Sequence, residues 1–161
     1  ILNQSIALRI SYTVKNDKNK YYKAFDICND PKNKGDITPF IYSFIDIIKN
    51  AAKSSLENLE SLKQRLEYYS TIHENIYNFF ENDLQSKIVY ILIQNALFSR
   101  KGVFIEELKH HLESSEATIR KNIKSLIKHG LIITTEREKN KMLYELSLDD
   151  FEQFAENIQQ L

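Results

Sequence analysis

Glu116-Ala117-Thr118-Ile119-Arg120-Lys121-Asn122-Ile123-Lys124-Ser125-Leu126-Ile127-Lys128-His129-Gly130 decides how this chain is read. Ile119, Ile123, Leu126 and Ile127 recur at three- and four-residue steps, so one side of a helix is apolar and the other charged. Gly130 then offers the left-handed backbone that commonly ends a helix. Leu131 to Thr135 is β-branched and apolar, Glu136 to Lys141 reads as a charged hairpin tip, and Met142 to Leu146 alternates as a returning strand. On the upstream side, Ser114 and Ser115 punctuate a shorter amphipathic helix carrying Ile105, Leu108 and Leu112. Before it, Arg100-Lys101-Gly102-Val103-Phe104 reads as a turn and a short extended piece. Further back, Asp83 is a candidate cap for a helix with Ile88, Val89, Ile91, Leu92, Ile93, Ala96 and Leu97, apolar on most sides and so central in a small core.

The order is helix, short strand, helix, turn, helix, strand, tip, strand, the plan of a winged helix-turn-helix over roughly Asp83 to Leu148. Ser115 to Arg120 and Leu126 to Ile132 also resemble the recognition-helix and strand signature of many bacterial winged-helix regulators. In that plan the third helix enters the major groove of double-stranded DNA, which makes Thr118, Arg120, Lys121 and Lys124 the outward candidates. Arg137, Lys139 and Lys141 on the wing are placed to reach flanking phosphates. From Ser99 to Lys141 ten cations face six anions, so the positive excess is modest. The competing reading is a solvated charged face on a module for dimerisation or protein contact, because fold does not set function. The tail has the opposite sign, with Asp149, Asp150, Glu152 and Glu156. Its Phe151, Phe154 and Ile158 form a stripe that can dock on the module or pair two chains.

The first half is helical in a different way. Ile1 to Val14 gives a mixed, partly helical signal, and Tyr21, Tyr22, Phe25 and Cys28 put an apolar face on Lys18 to Cys28. A polar loop follows, and Thr38-Pro39 reads as an N-cap with proline at the first helical position. Beyond it Phe40, Ile41, Phe44, Ile45, Ile47 and Ile48 make a wide greasy face. The stripe then narrows through Ile45, Ile48, Ala52, Leu59, Leu62, Leu66, Tyr69 and Ile76. With no Gly or Pro from Phe40 to Lys101, a long helix to Tyr69 or beyond is expected, with Ser70-Thr71 as a candidate break and Tyr77, Phe79 and Phe80 in a short helix after it. His73 on the stripe has no partner at metal-ligand spacing and reads as a partly buried structural residue. His110 and His111 are adjacent, about 100° apart on a helix, and poorly set to chelate one ion.

Ile10-Ser11-Tyr12-Thr13-Val14, Lys20-Tyr21-Tyr22-Lys23-Ala24-Phe25 and Lys34-Gly35-Asp36-Ile37-Thr38-Pro39-Phe40-Ile41 resemble the C-terminal end of a Fic (filamentation induced by cAMP) domain. The likeness covers roughly Ile1 to Ala52, and Fic proteins commonly carry a C-terminal winged helix. The family signature, His-Pro-Phe followed by a Gly-Asn-Gly-Arg loop, supplies a general base and a phosphate cradle. Here the histidines are His73, His110, His111 and His129, none begins that motif, and no Gly-Asn-Gly occurs. In the family the motif precedes the region matched here. The resemblance therefore implies a non-catalytic fragment of a longer protein, starting at Ile1 rather than Met. It needs no cofactor itself, and ATP and magnesium belong to an AMP-transferring parent. The expected fold is mainly α, in two parts: residues 1–80, Fic-domain tail and connecting helix, and residues 81–161, winged helix-turn-helix with a C-terminal helix. No metal site and no catalytic residue are expected.

Bulk properties agree. The 161 residues hold 22 Lys and Arg against 22 Asp and Glu, so any pull on nucleic acid must be local. Three Gly, two Pro and no Trp favour helices over a multi-stranded sheet. A lone Cys28, expected as a buried small hydrophobe, excludes an internal disulfide and fits a reducing, cytoplasmic setting. The longest apolar run, Ile88 to Ile93, is far too short to cross a bilayer.

Overall fold

The computed structural model describes residues 2–99, 101–138 and 141–160. The chain is mainly helical with one small antiparallel sheet, and it divides into two compact units, 1–61 and 62–161.

In the first unit, α1 (Leu2–Asn16) and α2 (Lys18–Asn29) precede the opening turns of α3 (Thr38–Asn75). Asp17 caps α2 by accepting from the Lys20 amide at 3.3 Å. Aromatic rings join α2 to α3: the ring centroid of Phe40 lies 5.7 Å from that of Tyr21 and 5.1 Å from that of Phe25, both edge-on. Cys28 is half-buried rather than in the core, because only Ala24 of α2 is fully covered. Between the helices, Lys34 and Gly35 adopt left-handed backbone (φ 53° and 79°) and turn the chain.

The start of α3 differs from expectation by one step. Thr38 is already helical, and its amide donates to Asp36 Oδ1 at 2.8 Å, so the capping carboxylate lies two residues earlier. A bond from the Thr38 hydroxyl, and then that from its amide, hold the Asp36 carboxyl below its ordinary pKa. Ser70-Thr71 does not break the helix. Thr71 Oγ1 donates to the Glu67 carbonyl at 3.0 Å, a local bond that satisfies the hydroxyl without interrupting the turns. The buried line also shifts. Ile47 and Ala51 are covered, while Ile45, Ile48 and Leu59 are 52%, 40% and 59% exposed. A helix apolar over so wide an arc does not dictate which strip faces inward; the neighbours do.

The second unit takes in the end of α3, the turn Tyr77–Phe79, and α4 (Asp83–Phe98), β1 (Val103–Phe104), α5 (Ile105–Leu112), α6 (Glu116–Lys128), β2 (Ile133–Glu138), β3 (Lys141–Leu146) and α7 (Leu148–Gln159). Helix α4 is its centre: Ile88, Val89, Leu92 and Ile93 are at most 1% exposed. Its cap is Asn82, whose Oδ1 accepts from the Gln85 amide at 3.0 Å, and Asp83 is the first helical residue. Around α4 the core collects Tyr69 from α3 and Ile76 just after it, Ile105 and Leu108 from α5, Ile119, Ile123 and Leu126 from α6, and Phe151, Phe154 and Ala155 from α7. Ile127, expected inside, is 42% exposed, because Ile119, Asn122, Ile123 and Leu126 already fill the inward arc of α6.

The strands are ordered β1-β3-β2, all antiparallel, with Val103 opposite Tyr144 and Ile133 opposite Leu146. Pairing continues to Glu138 opposite Lys141, so most of the expected charged tip is strand. Gly102 is required where β1 meets β3: a Cβ there would lie 2.5 Å from the Tyr144 carbonyl oxygen. The acidic tail helix packs on its own chain, with Ser147 as its cap and the Phe154 ring 5.2 Å from Phe79. The Tyr68 hydroxyl donates to the Glu152 carboxylate, which ties α3 to α7.

His73 is buried at 8% exposure between the rings of Phe80 and Tyr90, with centroids at 5.3 and 5.5 Å. Its Nε2 lies 3.0 Å from the Ser86 carbonyl, which can only accept, so Nε2 carries a proton. Burial pushes the imidazole pKa below its ordinary 6.5, outweighing the opposing pull of the Ser86 carbonyl and Glu74. As the pH falls, the unfolded chain therefore takes up the second ring proton first. His73's contribution is complete above pH 6.5 and is lost as the pH falls from there through the depressed folded value. Urea melts at about pH 8 and about pH 5 should show less of this loss in His73→Phe than in the wild type. Equal losses would contradict it.

Candidate nucleic-acid interface

Two sharp local features set α6 on the surface. Glu113 ends α5 in left-handed backbone (φ 48°), and two residues later Ser115 Oγ accepts from the Thr118 amide at 3.2 Å. At the far end of α6, Gly130 adopts φ 100° as the sequence suggests. The helix is also fixed from below. Asn122 is buried, a position the sequence reading passed over; its Nδ2 donates to the Thr118 carbonyl at 2.9 Å, and its Oδ1 accepts from Asn82 at 3.0 Å. Since Asn82 caps α4, this pair locks α6 to the central helix. An amide flanked by apolar positions was the available signal, but its partner forty residues away was not visible.

The expected contact residues do not behave alike. Lys121 and Lys124 are exposed, and neither has an ionic or hydrogen-bonded partner among the described residues. Lys128, not among the candidates, shares these properties. At about 100° per residue, Lys121, Lys124 and Lys128 fall within roughly a 60° arc, and Ala117 lies on the same strip. The signal was in the sequence as a three- then four-residue step. Thr118 is exposed, with its hydroxyl 2.8 Å from Ser115 Oγ and engaged in the cap.

Arg120 is half-buried rather than projecting freely. One guanidinium nitrogen donates to Glu116 Oε1 at 2.8 Å and another to the Tyr144 hydroxyl at 3.1 Å. The Glu116 bond raises the arginine pKa further, so its charge is permanent. Burial pushes the Tyr144 phenol above its ordinary value, with Arg120 partly opposing that. Lys141 Nζ lies 3.4 Å from Glu106 Oε1 and 6.0 Å from the centre of the Phe104 ring. Glu106 is held below the ordinary carboxylate range chiefly by its own backbone amide, then by Lys141 and Arg120. Arg137 has its backbone in β2 opposite Met142, while its side chain, and Lys139 as a whole, lie outside the described residues.

The face thus has two parts: a strip of ammonium groups on α6 unpaired among the described residues, and a compact cluster in which Arg120 and Lys141 are neutralised by Glu116 and Glu106. The first suits a solvated polyanion. Among the described residues no group of three His, Cys, Asp or Glu is arranged to hold a metal, and the His110 and His111 rings stand at 85° to each other. Among the described residues no helix is long and apolar enough to cross a membrane. No protein-family model matches the sequence, and no curated protein matches it either.

Proposed function

We propose that the C-terminal part of this chain is a winged helix-turn-helix module that binds double-stranded DNA, with α6 in the major groove and the β2–β3 pair as the wing. The observation that carries this is the strip of Lys121, Lys124 and Lys128, exposed and, among the described residues, without carboxylate partners on a helix whose other side is core. Its support is electrostatic and geometric, so it speaks to phosphate binding and not to a base sequence. Three phosphate contacts give a salt slope of about −2.7, so affinity for a mixed-sequence duplex should fall about 40-fold from roughly 50 to 200 mM salt. Fluorescence anisotropy of a labelled duplex measures this. Absence of binding at the lower salt would remove the proposal.

A different observation favours a protein contact for the N-terminal unit. Ile37, Ile41, Phe44, Ile45 and Ile48 are between 37% and 61% exposed, unusual for so many large apolar side chains in sequence proximity. The Fic resemblance supplies an occupant: the preceding part of such a domain, which holds the AMP-transferring site. On that account the present residues are its non-catalytic end, and the DNA-binding module regulates the core. A dimerisation module with no nucleic-acid affinity is the alternative. Sedimentation separates them, since it requires a stable dimer and no duplex binding.

A further inference from the structure

On the face described above, cations of two kinds lie side by side, and the difference between them is Glu116. We propose that Glu116 occupies the Arg120 guanidinium in place of a DNA phosphate, holding Arg120 out of the interface and capping its electrostatic strength. This rests on the DNA-binding proposal and deepens it.

A carboxylate meets a guanidinium much as a phosphate does, through N–H donors on a planar fork. Glu116 accepts from one Arg120 nitrogen at 2.8 Å while the Tyr144 hydroxyl accepts from another at 3.1 Å. Tyr144 is 4% exposed and belongs to the core, so it tethers the guanidinium on the Glu116 side. The Glu116 and Arg120 side chains are 49% and 37% exposed, so solvent and a phosphodiester can reach both. Glu116 also sits in the first turn of α6, where the helix dipole favours a negative charge independently of Arg120. Glu106 adds a second carboxylate within the field of Arg120 while it pairs with Lys141. A duplex approaching this end of α6 therefore meets carboxylates as well as cations, whereas the strip of Lys121, Lys124 and Lys128 carries none.

The test is a double-mutant cycle on duplex affinity, with the chain's melting temperature followed for each variant. Glu116→Gln should tighten binding about two- to fivefold at low salt, the size of an exposed ion-pair effect. It should also steepen the salt slope by about one, as a freed arginine adds one phosphate contact. Arg120→Gln alone should change affinity little, and in combination it should abolish the gain from Glu116→Gln. A gain that persists without Arg120 would mean that any lost negative charge suffices, and would overturn the proposal. So would unchanged binding by Glu116→Gln, or a loss in Arg120→Gln as large as that from removing a strip lysine. If neither the wild type nor Glu116→Gln binds duplex at low salt, it is the interface itself that fails.

Discussion

Replacing Phe151 with alanine is expected to cost the C-terminal unit about 3–5 kcal/mol. Phe151 is wholly buried, and its neighbours on α7, Phe154 and Ala155, are buried with it against the core that contains Ile88 and Leu126. Removing the ring loses its transfer free energy and leaves a cavity that α4 and α6, held by the Asn82–Asn122 bond, cannot readily close. For a unit near 100 residues this corresponds to a fall of roughly 15 °C or more in Tm. Ile132→Ala, at a position 54% exposed, should stay within about 0.5 kcal/mol. Urea melts of the two variants check this. A Phe151→Ala change below about 1 kcal/mol would show that the tail helix is an accessory and not a layer of the core.

The second large effect concerns binding and leaves stability alone. Changing Lys121, Lys124 and Lys128 together to glutamine should weaken duplex affinity about a hundredfold at low salt, at about 1 kcal/mol for each solvated contact. The salt slope should flatten by about 2.7. None of the three side chains is covered, so melting should change little. The same substitution at Lys53, Lys63 and Lys87, each already paired four residues away with Glu57, Glu67 or Asp83, should leave the affinity near that of the wild type. Equal losses from both triple variants would reduce the strip on α6 to ordinary surface charge.

The elements legible in the sequence were those with local signatures. Ile119, Ile123 and Leu126 at helical spacing, with Gly130 behind them, located α6, and Gly130 does adopt the left-handed backbone. The order of helices and short strands could likewise be read from periodicity. Details settled by competition between near-equal neighbours were not. Asn82 and Asp83 are both good caps, as are Asp36 and Thr38, and only the geometry of the incoming chain chooses. Along α3, apolar residues at Ile45, Ile47 and Ile48 left the inward strip undetermined.

In the interface the limit was distance along the chain. Lys121 and Lys124 could be placed outward from periodicity alone. Glu116 lies one helical turn from Arg120 and was legible as a pair, but Tyr144, which anchors that pair, is 24 residues away. The same holds for Glu106 and Lys141, brought together only when β3 folds beside β1. Charge counting gave the right sign for the face without showing that part of its charge is internally cancelled.

Amide chemical-shift mapping of the whole chain, titrated with a mixed-sequence duplex at low salt, tests the central claim most directly. The largest changes are expected along α6, at Ala117, Lys121, Lys124 and Lys128, with smaller ones at Lys141 on β3 and none at Ile41 or Ile45. Saturating duplex that leaves the α6 amides unmoved, or moves the apolar face of the first unit instead, would contradict the assignment of this helix to DNA.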